Sequence, residues 1–175
     1  MVDWSAMNEE HFWDVIEAAW APLGGGVNRT RRALATRDPG GDVWEMPELA
    51  RVESSLEEFL ENLAAATGDL SSAELTDLDR VLERKLHDID RADIHAVTDG
   101  SDDGFLYARG LIVALGRAFY TAVAADPRMA MPDGECEEMC YFFDRLHRER
   151  YGTHTETGSG ITRESCSNPS GWPTF

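Results

Sequence analysis

The sequence predicts an all-α fold: a single-domain helical bundle of about five main helices with an irregular C-terminal tail. Apolar residues recur at helical spacing through most of the stretch from residue 8 to residue 151, and helix-start and helix-stop residues bracket the periodic segments. No alternating strand pattern of useful length and no internal repeat interrupts them. The domain spans residues 1–151, with a long loop at 22–46 inside it, and the tail spans 152–175. A chain of 175 residues has the length of one domain with a substantial core.

Asn8 is placed to cap a first helix whose apolar face is Phe12, Trp13, Ile16, Ala19 and Trp20. Pro22 and Gly24-Gly25-Gly26 end it. The loop that follows is rich in Gly, Arg and Asp and carries the basic cluster Arg29, Arg31 and Arg32. Pro47 suits the first turn of a second helix, with Leu49, Val52, Leu56, Phe59, Leu60 and Leu63 on its apolar face and Gly68 at its stop. Ser71 and Glu74 have capping-box spacing for a third. Its core stripe is Leu75, Leu78, Leu82, Leu86 and Ile89, and Asp79, Arg80, Glu83, Arg84 and Asp90 read as its solvated face.

Residues 90–99 have room for one helical turn around Ile94 and Val97. Ser101-Asp102-Asp103 then starts a fourth helix, running from about Asp103 to Ala124. An acid of that string is expected to accept first-turn amides. Gly110 and Gly116 inside the helix point to close approach of another backbone. Leu56, Phe59, Leu82, Ile112, Leu115 and Phe119 are expected to share one core. Asp133 caps a fifth helix containing Met139, Cys140, Phe143, Leu146 and Tyr151, and Trp172 and Phe175 are placed to pin the tail.

Charge narrows the function. With 33 acidic and 16 basic residues, the net charge of -17 repels nucleic-acid backbones and anionic lipid. No apolar run approaches the ~20 residues that span a bilayer, and Met1-Val2-Asp3-Trp4 does not open a signal peptide, so a cytoplasmic location is expected. Three cysteines without a CxxC pair argue against a disulfide framework.

Residues 55–151 resemble the bacterial domain-of-unknown-function family 4240. The resemblance rests on Ser101-Asp102-Asp103-Gly104-Phe105, Arg109, Leu111-Ile112, Gly116-Arg117, Tyr120 and Asp126-Pro127, and on Phe12-Trp13 after paired acids. It implies a compact helical fold and supplies no substrate, cofactor or catalytic residue.

The candidate ligand-binding residues are Asp102, Asp103, Arg109 and Tyr120, because positions 102, 109 and 120 fall near one line of an ideal helix. An Asp near an Arg can fix a carboxylate, and Arg can grip an anion. The simpler reading is structural, with an acid capping the helix and Arg109 paired to a neighbouring helix. Cys136, Cys140 and His147 share a helical face, but His147 lies about 10 Å up the axis from Cys140, too far to share an ion. No metal and no cofactor are expected. The histidines are scattered and no serine has a nucleophile-elbow pattern, so the sequence offers no nucleophile. The functional expectation is a non-catalytic module that binds protein. The alternative is an enzyme or small-molecule-binding protein with a pocket near Asp102, Asp103 and Arg109.

Overall fold

The computed structural model describes residues 4–47, 49–98 and 100–173. Among these residues there are ten α-helices and no strand: α1 (Trp4–Trp20), α2 (Gly25–Leu34), α3 (Leu49–Ser54), α4 (Leu56–Ala66), α5 (Ser72–Asp88), α6 (Ala92–Thr98), α7 (Asp102–Ala114), α8 (Arg117–Ala125), α9 (Glu137–Cys140) and α10 (Phe142–Tyr151). The fold is all-α as expected, but the count of about five helices is not: three of the expected helices are broken in two, and α2 and α6 are added where a loop and a short mixed stretch were expected.

Each break is marked by a distinct feature. Between α3 and α4, the Ser55 hydroxyl donates to the Arg51 carbonyl at 2.7 Å, competing with the backbone ladder. Between α7 and α8, Gly116 takes φ +97°, where a Cβ would stand 2.6 Å from both the Arg31 guanidinium and the Glu17 carboxylate. Between α9 and α10, Tyr141 leaves helical geometry at φ -129°. The first helix starts at Trp4, so Asn8 lies inside it and does not cap it. The fifth starts at Glu137 instead of being capped by Asp133, which sits at φ +56°.

The stretch 22–46, expected as a loop, contains α2 and the short 3-10 turn Val43–Glu45. Arg31 draws α2 inward. It is buried, binds Glu17 through both terminal nitrogens at 2.8 and 2.5 Å, donates to the Leu115 carbonyl at 2.9 Å and lies over the Trp20 ring. Its basic neighbours Arg29 and Arg32 remain exposed.

The core lies between α1, α4, α5, α7 and α8. Trp20 stacks on Phe59 at 4.6 Å, and its indole N–H donates to the Ala114 carbonyl at 2.7 Å. Phe59, Leu82, Ile112, Leu115 and Phe119 are buried together as expected, whereas Leu56 is half-buried at the edge. Interior Gly110 permits the close approach that its position implied: a Cβ there would meet the Cys136 carbonyl at 2.4 Å and the Cys140 sulfur at 2.7 Å. No regular element follows α10 among the described residues. Trp172 does pin the tail, packing against Phe105 and His95; Phe175 lies outside the described residues.

Gly116 and Gly24 (φ +89°, open space around the Cβ position) separate backbone strain from crowding. Gly24→Ala should cost only the positive-φ penalty, roughly 1–2 kcal/mol. Gly116→Ala should cost more, because Arg31 and Glu17 must also move. Equal losses in urea denaturation would show that the crowding has no energetic weight.

Candidate functional site

Ser101, and neither following acid, caps α7: its Oγ accepts the Gly104 amide at 3.2 Å. Asp102 and Asp103 are exposed in the first turn, where their charge favours the positive helix end. The expectation that an acid of the string makes the cap is thereby corrected.

Seven residues on, Arg109 is fully buried. It donates to the Leu86 carbonyl at 2.8 Å, the Arg163 carbonyl at 2.9 Å and the Ser165 hydroxyl at 3.2 Å, and lies over the Phe105 ring. Burial weakens its hold on the proton, opposed first by the charge of Asp90. The kink at Gly116 carries Tyr120 away from the Arg109 line, and its hydroxyl donates to the Lys85 carbonyl at 3.0 Å. Asn168 donates to the His87 carbonyl at 3.0 Å. Three consecutive carbonyls of the last turn of α5 are thus met by side chains from α8, α7 and the tail, the His87 carbonyl also accepting the Asp90 amide at 3.0 Å. Arg109 also sets a positive charge at that negative helix end. The structure therefore brings Arg109 and Tyr120 to the end of α5 and leaves the carboxylates of Asp102 and Asp103 at the surface; only the Asp102 carbonyl meets this cluster, accepting from Ser165 at 2.6 Å.

The acids read as a solvated face are in fact covered by the tail: Asp79 and Glu83 of α5, and Asp90 just past its end, are all buried. Asp79 accepts from Arg163 at 2.7 Å and Thr155 at 2.6 Å, and Arg163 also donates to the Cys140 carbonyl at 2.6 Å. Glu83 accepts from Thr157 at 2.8 Å and Ser159 at 2.5 Å. Asp90 accepts the amides of Cys166, Ser167 and Asn168 at 3.0, 2.7 and 2.9 Å, the Ser167 hydroxyl at 3.3 Å and the Trp172 indole at 3.0 Å. Burial alone would raise its pKa. The amides, the Arg109 charge and the indole more than offset that and hold it below the usual carboxylate value.

The thiols are not arranged for metal chemistry. Cys136 and Cys140 are buried, which pushes both pKa values up to about 12, and Cys140 donates to the Leu106 carbonyl at 3.3 Å. Cys166 is exposed on the tail. Among the described residues no group of three or more His, Cys, Asp or Glu is placed to hold an ion. His147 instead meets Ser72: its Nε2 lies 2.7 Å from the Ser72 Oγ and its Nδ1 2.6 Å from the Thr153 carbonyl. The two residues are 75 positions apart, and no local motif flags either.

A groove of about 520 Å³ separates α4 from α9 and α10. Its floor is Leu56, Leu60 and Ala64, one side of α4 at four-residue spacing, facing Cys136 and Phe142. Glu57, Glu61, Glu135 and Glu138 line it and are exposed. Arg145 is the only cation among the described lining residues, and its guanidinium lies over the Phe142 ring.

These features define an all-α domain with a polar tail sealed over one helix and an acid-lined apolar groove on another face. Residues 41–149 match the family described as protein of unknown function (DUF4240), well over half of the chain, and the chain belongs to that family. No curated protein and no solved structure matches the chain. The matched stretch contains the groove, the α5 acids, Arg109 and Tyr120, and ends before the tail that covers them. No helix among the described residues is long and apolar enough to cross a membrane.

Asp90→Ala would leave three amides of the tail facing a dry, partnerless space and should cost at least ~3 kcal/mol, at 1–3 for each unsatisfied donor. Acid should act through the same group. Its folded pKa is lowered, so its contribution is fully present above the unfolded value near 4 and is lost as pH falls towards the folded one. Wild-type stability should therefore drop below about pH 4, and Asp90→Asn should flatten that limb. Parallel acid limbs in denaturation experiments would refute the clamp.

Proposed function

We propose that this protein is a cytoplasmic module that works by binding protein, taking an amphipathic, basic helical segment of its partner into the groove between α4 and α9–α10. The observation that carries the reading is the half-buried stripe Leu56, Leu60 and Ala64, set among exposed Glu57, Glu61, Glu135 and Glu138. Phe59 and Leu63 are buried in the core, whereas Leu56, Leu60 and Ala64 pack only at its edge and stay half-exposed to the groove. It runs two helical turns, about 12 Å, which fits apolar anchors at i and i+4 of a docked helix. The surrounding carboxylates favour Lys or Arg flanking those anchors and disfavour phosphate-bearing partners. Unpaired Cys136, Cys140 and Cys166 are in keeping with a reducing compartment.

The rival reading, a small-molecule site beside Asp102, Asp103 and Arg109, has less to stand on. The terminal nitrogens of Arg109 are occupied by two carbonyls and Ser165, beneath the tail.

The test is fluorescence anisotropy with a labelled Leu/Lys peptide of about 15 residues, patterned so that its leucines share one helical face. A scrambled peptide of the same composition is the control. The patterned peptide should bind, Leu60→Glu should weaken it at least tenfold, and added salt should weaken it further. Equal binding of both peptides, unchanged by Leu60→Glu, would mean that only net charge attracts them and would defeat the proposal.

A further inference from the structure

We propose that Ser72 and His147 form a nucleophile–base pair able to accept the acyl group of a small activated ester, an activity separate from partner binding in the groove. The geometry sets the roles. A carbonyl can only accept a hydrogen bond, so the 2.6 Å contact from His147 Nδ1 to the Thr153 oxygen places the imidazole proton on Nδ1. Nε2 is then the free base, and the Ser72 hydroxyl at 2.7 Å donates to it. This is the arrangement by which a positioned histidine activates a serine, with a backbone carbonyl as the orienting group in place of a carboxylate.

The surroundings support it. His147 is buried and packs against the Tyr151 ring, which holds the imidazole in place. Ser72 is half-buried, with Ser71 and Ala73 on either side exposed. Ser72 is also the first residue of the 17-residue helix α5. The amides of Ser72 and Ala73 belong to the turn that a helix leaves without internal acceptors. The next amide, of Glu74, is taken by Ser71. Those two N–H groups are the donors available to a negative oxygen developing on a carbonyl attacked by Ser72, at a helix start that also holds the Glu74 carboxylate on the Ser71 N–H and hydroxyl.

In the reaction, Ser72 Oγ bonds to the acyl carbon and its proton passes to His147 Nε2. The tetrahedral adduct collapses, breaking the bond to the leaving oxygen, which takes the proton from Nε2. Water then attacks the acyl-serine and gives a proton to Nε2. Collapse releases the carboxylic acid and returns that proton to Ser72.

The test treats the full-length protein with a fluorophosphonate probe, in which the serine oxygen displaces fluoride, and locates the adduct by peptide mass. Wild type should be labelled at Ser72. Ser72→Ala should not be labelled, and His147→Gln should react at least ~100-fold more slowly. Denatured wild type, in which 75 residues of chain no longer hold the pair together, should also stay unlabelled, a control that needs no variant to fold. A folded wild type that takes no label, or label that persists in Ser72→Ala or after denaturation, would overturn the proposal.

Discussion

The fully buried carboxylate of Asp90 is the constraint on which the architecture depends. A charge withdrawn from water is tolerated only when dense hydrogen bonding replaces its hydration. Asp90 receives that replacement almost entirely from the tail: three consecutive amides, a hydroxyl and an indole. An otherwise featureless segment of Thr, Ser, Gly and Asn is thereby fixed on the body without a helix or strand of its own. The tail in turn seals Arg109, whose partners include the Arg163 carbonyl, and it carries the arginine that neutralises Asp79.

The same segment explains how helices of different direction are locked together. The last turn of α5 offers carbonyls that its own ladder does not use. Tyr120, Arg109 and Asn168 meet them from α8, α7 and the tail. One helix end thus joins three other parts of the chain through directional bonds, and the apolar stripes of α1, α4 and α7 pack around that frame. Lys85, the only lysine, adds to the join by pairing with Glu9 of α1 at 2.8 Å and lying over the Tyr120 ring.

Local features were legible in the sequence where the physics is local. The Ser71–Glu74 capping box forms as its spacing implied, Ser101 starts α7, and the apolar stripes mark the core. What pattern could not show depends on distant chain. Asp79, Glu83 and Asp90 alternate with apolar residues just as a solvated face does, and only the tail, more than 70 residues away, decides that they are buried. The break at Gly116, where Arg31 and Glu17 crowd the Cβ position, depends on tertiary packing. The straight-helix alignment of Arg109 with Tyr120 failed for that reason. Each meets a different carbonyl of α5. The Ser72–His147 contact joins residues with no signature around either.

Amide hydrogen exchange at Cys166, Ser167 and Asn168 tests the central claim most directly. If the buried Asp90 carboxylate organises the tail, these three amides exchange as slowly as the interior of α5, although they belong to no helix or strand. Exchange at the rate of an unstructured loop, with α5 itself well protected, would contradict the account, because the body would then be folded without the clamp.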